Sequence, residues 1–566
     1  QSWTTDQVVS LTTAQIAAFD SADVGALTSD AVIGLSSAQV AALSTSAFNA
    51  LNTADLSALT SSAVAGVTTA QIGTLDSADI QALGTDIANM NTAAMATLTS
   101  AQLAAFTTAQ VATLDSADVA ALTSGAFDGL NTADLDALTS LAMAGMSALQ
   151  VDTLNTADIQ ALGTDIANMS TSAMASLDSA QVAALTTAQI TEFDSADVAA
   201  LTSAAVGGLT SEQVAILSTS AFNALDTAAL AALTSDAVVG ITTAQINTLS
   251  TADIQALGTD IANLTTAAME TLDSGDVLAM TTLQLHALDN VDVIALTDAV
   301  ILSLNSTQVN ALSTSGFSGL SVADLTALSS AAVAGINAAQ VGTLDSAEIQ
   351  ALGTDIANMS TSALASLSSE QLSALTTDQI AALGLLAVSA LNVNAIAGLS
   401  SAQVAALTST AFAGLSTADL GALTSAAVVG MTAAQVDTLD TAEIQALGTD
   451  IANMNTAAMA SLNSAQIGAL TTDQISNFDS ADVNSLLSAD VVGLTSAQVA
   501  ALSPTAFNAL GTDDLDALTS GAVAGMTAAQ VDTLNSADVQ ALGTDIANMN
   551  TSAMASLDSA QVAALT

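Results

Sequence analysis

Large apolar residues occupy two sites in every eight along this chain. Written from Trp3, the sequence divides into WTTDQVVS, LTTAQIAA, FDSADVGA, LTSDAVIG, LSSAQVAA, LSTSAFNA, LNTADLSA and LTSSAVAG, and the pattern continues without a linker. The first site is apolar, the second Ser, Thr, Asp or Asn, and the third Ser or Thr. Ala usually follows, then Gln, Asp or Ala, then Val, Ile, Leu, Phe or Met, a variable residue, and Ala or Gly. A continuous helix would rotate the apolar pair by about 80° per unit, so no face would stay buried. A strand fits no better, because Ala, Gln and Asp are weak strand formers.

The octad instead reads as a short helix carrying its own capping signals. Its second residue belongs to the preferred N-cap set. Gln, Asp or Glu three residues later completes a capping box, and the apolar residues before and after the cap stand as a hydrophobic staple. Pro504 follows Ser503 and so falls at the first helical position, where its missing N–H costs nothing. Gly34 and Gly66 close their octads, where a C-terminal stop is expected. Each unit therefore predicts a helix of six or seven residues, too short to stand alone. The expected fold is all-α: a solenoid whose stacked units share one core, continuous over residues 1–566. Phe19, Phe106, Phe193 and Phe478 at the first site, and Phe48, Phe127, Phe222, Phe317, Phe412 and Phe507 at the sixth, read as core. So do Met90, Met95 and Met169, and Trp3 reads as the first staple residue.

A longer period overlies the octad. The phrase GTDIAN recurs with its glycine at 84, 163, 258, 353, 448 and 543. The later intervals are 95 residues, eleven octads and one seven-residue unit, and the first is shorter by two octads. Loss of two octads predicts two octads per coil. The shortened unit predicts an altered helix and a shift in stacking.

Composition removes most function classes. The chain has no Lys, Arg or Cys, one His and 53 Asp+Glu among 566 residues, for a formal charge of −53. Without basic side chains there is no electrostatic footprint for nucleic acid or anionic lipid. Without Cys there is no disulfide, thiol nucleophile or cysteine metal site. The longest apolar run, residues 381–391, is far short of the ~20 residues of a spanning helix. No membrane insertion is expected.

The paired acids are the best candidate chemistry. Asp76/Asp79, Asp115/Asp118 and Asp194/Asp197 stand three apart, as do Asp20/Asp23, Asp479/Asp482, Asp345/Glu348 and Asp440/Glu443. Such pairs suit general acid–base work or weak surface Ca²⁺ binding. Their place at cap and third helical residue explains the spacing structurally, because a helix N-terminus favours negative charge. The first three pairs are kept as weak Ca²⁺ candidates, with no other cofactor. His286 has no partner in local sequence and reads as a tolerated substitution, and no base activates a Ser or Thr. No catalytic residue is expected, and the chain does not read as an enzyme. Asn168, Asn263, Asn305 and Asn358 stand in N-x-Ser/Thr sequons, which arise easily in so Ser/Thr-rich a chain.

Units such as LTTAQIAAF, LSSAQVAAL and LTSAQVAAL resemble the LTTAQV-type octapeptide arrays of very large bacterial secreted or surface proteins, which are adhesin-like or structural. The resemblance spans the whole chain and implies secretion, a cell-surface location and an extended shape. It carries over no functional residue. The expected function is structural, an extracellular filament, fibre or stalk that associates with itself end to end or laterally. The alternative is an adhesin whose Ser/Thr/Asp rows recognise a repetitive glycan, mineral or ice surface. Two-octad coils stacked at helix-packing distance would give a rod on the order of 300 Å. The start at Gln1 suggests a processed product or a segment of something longer. The lack of polar capping repeats before Gln1 and after Thr566 suggests ends that stick to one another.

Overall fold

In the computed structural model, which describes residues 3–565, each octad forms one short helix. Gln1, Ser2 and Thr566, on which the expectations about the chain's ends turn, lie outside the described residues. Among the described residues there are 65 α-helical segments of four to six residues, six 3-10 segments and no strand. The helices are thus slightly shorter than the six or seven residues expected.

The octad beginning at Leu35 shows why. Ser36 is extended (φ −86°, ψ 164°) and caps the helix Ser37–Ala42. The Gln39 N–H donates to Ser36 Oγ, and the Ser36 N–H donates to Gln39 Oε1 at 2.9 Å. Leu35 and Val40, flanking the cap, are both buried. Two extended residues between successive helices satisfy the exposed N–H groups and end the preceding helix. Pro504 opens the helix Pro504–Phe507, with Ser503 Oγ accepting the Ala506 N–H.

Within each of the two compact units, Gln1–Gln284 and Leu285–Thr566, each segment packs against the segment three places along the chain. The coil therefore contains three octads, not the two expected. The extended cap turns the chain by about a third of a revolution, so three helices close one turn. Within each unit, twelve segments separate GTDIAN units that stand 95 residues apart, which is four whole coils. The interval from Gly84 to Gly163 holds ten segments, three coils and one segment more.

The chain divides into two compact units, Gln1–Gln284 and Leu285–Thr566. In the second unit, Gly353, Gly448 and Gly543 recur on the same side of the coil. In the first, Gly163 and Gly258 share a side, and the ten-segment interval sets Gly84 on an adjacent one. Within each unit the first- and sixth-site apolar residues line the core. The six sixth-site Phe are at most 1% exposed. Trp3 is 37% exposed and lies against Phe19, ring centroids 5.8 Å apart.

The glycine expectation is corrected in part. Gly34 and Gly66 do not adopt the left-handed conformation of a helix stop, because only the six GTDIAN glycines have positive φ, between 54° and 56°. A Cβ on Gly66 would sit 2.0 Å from the Ser37 carbonyl oxygen. These glycines let a helix end approach the helix start of the neighbouring coil. Each GTDIAN unit, as Gly84–Asn89 shows, is a six-residue 3-10 helix opened by its left-handed glycine. The altered helix expected of the shortened unit is thus present.

Candidate functional site: paired carboxylates and glutamine clamps

The fifth octad residue, third in its helix, decides the local chemistry. Where it is acidic and the cap is Asp, the two carboxylates bind one helix start. Asp76 Oδ1 accepts the Ala78 and Asp79 N–H groups at 2.8 and 3.0 Å, and Asp79 Oδ2 accepts the Asp76 N–H at 3.2 Å. Asp115/Asp118 and Asp194/Asp197 repeat this geometry, the reciprocal bonds being 3.0 and 2.9 Å. The expected capping role is present at all three.

Burial raises the carboxyl pKa of Asp79, Asp118 and Asp197 above the ordinary Asp value. The hydrogen bond from the cap N–H opposes this, and the neighbouring carboxylate adds to it. Asp134, Asp276, Asp292 and Asp482 are raised by burial in the same way. With no Lys or Arg in the chain, nothing cationic offsets that cost. Among the described residues, no three His, Cys, Asp or Glu side chains converge as a metal-binding group. The calcium candidates are therefore pairs, each already accepting backbone N–H groups.

Where the fifth residue is Gln, it does more than the capping box predicts. Gln39 Nε2 donates to the Val8 and Leu11 carbonyls at 2.9 and 2.8 Å, 31 and 28 residues earlier. Gln71 binds Val40 and Leu43 likewise, and Gln435 binds Val404 and Leu407. One buried amide thus satisfies a helix start through its oxygen and a neighbouring helix end through its nitrogen. The sequence reading missed this. The available signal was that a capping box needs only an acceptor, yet Gln, which carries a donor too, is commoner at this site than Asp and Glu together.

The GTDIAN unit is tied on both sides. Ser61 Oγ donates to Asp86 Oδ1 at 2.6 Å, and Gln110 Nε2 donates to the Gly84 carbonyl at 3.1 Å. Ser140–Asp165, Ser235–Asp260, Ser330–Asp355 and Ser425–Asp450 repeat the first contact. His286 is exposed, its Nδ1 3.3 Å from the Ala311 carbonyl. Two open depressions, about 640 and 690 Å³, are lined by Ser, Thr, Gly, Asp and aliphatic side chains, with Glu370 and Gln371 in the second and no aromatic or His in either. No helix of the described residues is long and apolar enough to cross a membrane.

No curated protein matches the chain. The ALTTAQ repeat family matches residues 16–53, 48–85, 163–194, 190–227, 317–354, 354–385, 412–449, 449–480 and 507–544. These stretches cover more than half of the chain and coincide with octads whose caps and glutamines are described above. The chain belongs to the ALTTAQ repeat family.

Proposed function

We propose that the protein is a structural component of an extracellular filament, fibre or surface stalk that associates with further copies of itself. The observation that supports this best is a joint that recurs between coils within each unit. The same amide-to-carbonyl clamp recurs from Gln39 to Gln561 over rows of buried Leu and Val. Such a joint extends an array without limit. Secretion is supported by the resemblance to bacterial surface arrays.

The adhesin reading finds less support. Nine of the ten Phe are buried, which leaves Trp3 and Phe19 as the partly exposed aromatics of the described residues, and many Ser and Thr hydroxyls serve helix caps. Electron microscopy of the purified chain, with antibody labelling of native cells, tests the proposal. Filaments and surface label are expected. Dispersed particles that bind a glycan array, or ice, without self-association would replace the proposal with the adhesin reading.

A further inference from the structure

Three of the five sequons share a geometry that Asn305 and Asn550 lack; in Asn550-Thr551-Ser552 the asparagine is itself a helix cap, its Oδ1 accepting the Ala553 N–H. Asn168, Asn263 and Asn358 are exposed and each ends a 3-10 helix. The next residue is extended in each case, Met169 at φ −61°, ψ 152°, Leu264 at −58°, 147° and Met359 at −60°, 152°. The hydroxyl residue then caps the following helix, also extended: Ser170, Thr265 and Ser360, with ψ 153° throughout. Each Asn Nδ2 donates to the carbonyl three residues back, Asp165, Asp260 or Asp355, at 3.1 to 3.2 Å. Asn358 Nδ2 also reaches Asp355 Oδ1 at 3.2 Å. Asn305 differs. It is itself a helix cap, its Oδ1 accepting the Gln308 N–H, and Ser306 and Thr307 lie in the first helical turn.

The other three super-repeats supply an internal comparison. There Asn91, Asn455 and Asn550 stand in place of the hydroxyl residue, and their Nδ2 groups bridge to the Val67, Met431 and Met526 carbonyls. Ser170 approaches the corresponding Met146 carbonyl only at 3.4 Å, and Thr265 and Ser360 serve their own caps. Asn, Ser and Thr all cap well. Capping and stacking therefore do not require a hydroxyl here, and its presence creates the acceptor sequence.

We propose that Asn168, Asn263 and Asn358 are N-glycosylation acceptors of the folded chain and that the helix-cap residues Asn305 and Asn550 are not. The proposal rests on the secretion reading, since the donor is a glycan carried on a polyprenyl diphosphate. Nδ2 attacks sugar C1, the C1–O bond to phosphate breaks, and the N-glycosidic bond forms. One Nδ2 proton passes to the transferase's base, and polyprenyl diphosphate leaves with the bonding electron pair. The retained N–H is the one that can continue to bind the carbonyl three residues back.

The test uses the 566-residue chain purified unglycosylated, an oligosaccharyltransferase and a lipid-linked oligosaccharide. Glycan occupancy is read by intact mass and by Asp- or Glu-directed peptide mapping. The folded chain is expected to carry glycan at Asn168, Asn263 and Asn358, with at least tenfold lower occupancy at Asn305 and Asn550, while the urea-unfolded chain is modified at all five. Ser170→Asp, Thr265→Asp and Ser360→Asp keep a capping oxygen and create no new sequon, so the variant should keep wild-type circular dichroism and lose all three glycans. A folded chain left unmodified while the unfolded chain is modified overturns the proposal, as does equal occupancy at Asn305. Intracellular retention of a chain that is competent in vitro would refute the secretion reading alone.

Discussion

Gln435 offers the sharpest test of the inter-coil joint. It is fully buried, donates from Nε2 to the Val404 and Leu407 carbonyls at 2.7 Å each, and accepts the Thr432 N–H at 2.8 Å. Gln435→Ala removes all three bonds and orphans buried backbone groups. At about 1 kcal/mol net per bond the loss is about 3 kcal/mol, a factor on the order of 100 in local opening. Gln435→Glu keeps the acceptor but turns the donor into an oxygen facing two carbonyl oxygens. At neutral pH it should cost at least as much as alanine. Its buried carboxyl should titrate above the ordinary Glu range, so protonation at mildly acidic pH restores a donor and recovers stability, which alanine cannot do. Because a repeat array opens locally, the assay is hydrogen exchange by mass spectrometry over residues 401–438. Less than threefold faster exchange in Gln435→Ala, or no acid recovery in Gln435→Glu, would refute the clamp.

Other outcomes follow from particular residues. Gly66→Ala should open its coil far more than Gly84→Ala. The first drives a Cβ to 2.0 Å from the Ser37 carbonyl oxygen, whereas the second meets open space and costs only the left-handed φ, about 1–2 kcal/mol; similar exchange rates in the two variants would contradict this. Phe412→Ala should destabilise its neighbourhood by about 3–5 kcal/mol, measured by the same exchange, because the ring is fully buried. The seven Asp raised by burial bind protons more tightly folded than unfolded, so their contribution to stability is present at low pH and lost as pH rises through the folded values. Thermal melts should therefore shift upward as pH falls from 7 toward the ordinary Asp range, and Asp118→Asn should raise stability at pH 7; a downward shift contradicts the assignment. Millimolar CaCl₂ should increase light scattering more than NaCl at matched ionic strength, because Ca²⁺ can join carboxylates of separate molecules. Equal responses would leave only screening.

Much of this architecture was legible because it is local. Cap, third residue and staple lie within five positions, so Ser36, Gln39, Leu35 and Val40 declare their roles in one octad. The number of octads per coil is not local: it depends on the turn angle of each extended cap, and a deletion of two octads suggests a period of two. Gln39 was legible as half of a capping box, but its second role needs Val8 and Leu11, 31 and 28 residues away. Gly66 was misread for the same reason, since its constraint is Ser37 in another coil. The acid pairs were read correctly as caps, because both partners share one helix start.

The central claim is a coil of three octads, and a cysteine-free chain lets it be tested directly. Ser61 Oγ and Asp86 Oδ1 are 2.6 Å apart across 25 residues of sequence. In a Ser61→Cys/Asp86→Cys variant, a short thiol–thiol reagent should cross-link the two sites within one chain in high yield. An Ala70→Cys/Asp86→Cys variant places the thiols two octads apart and should remain largely uncross-linked. Efficient cross-linking of the second pair, with none of the first, would contradict the three-octad coil.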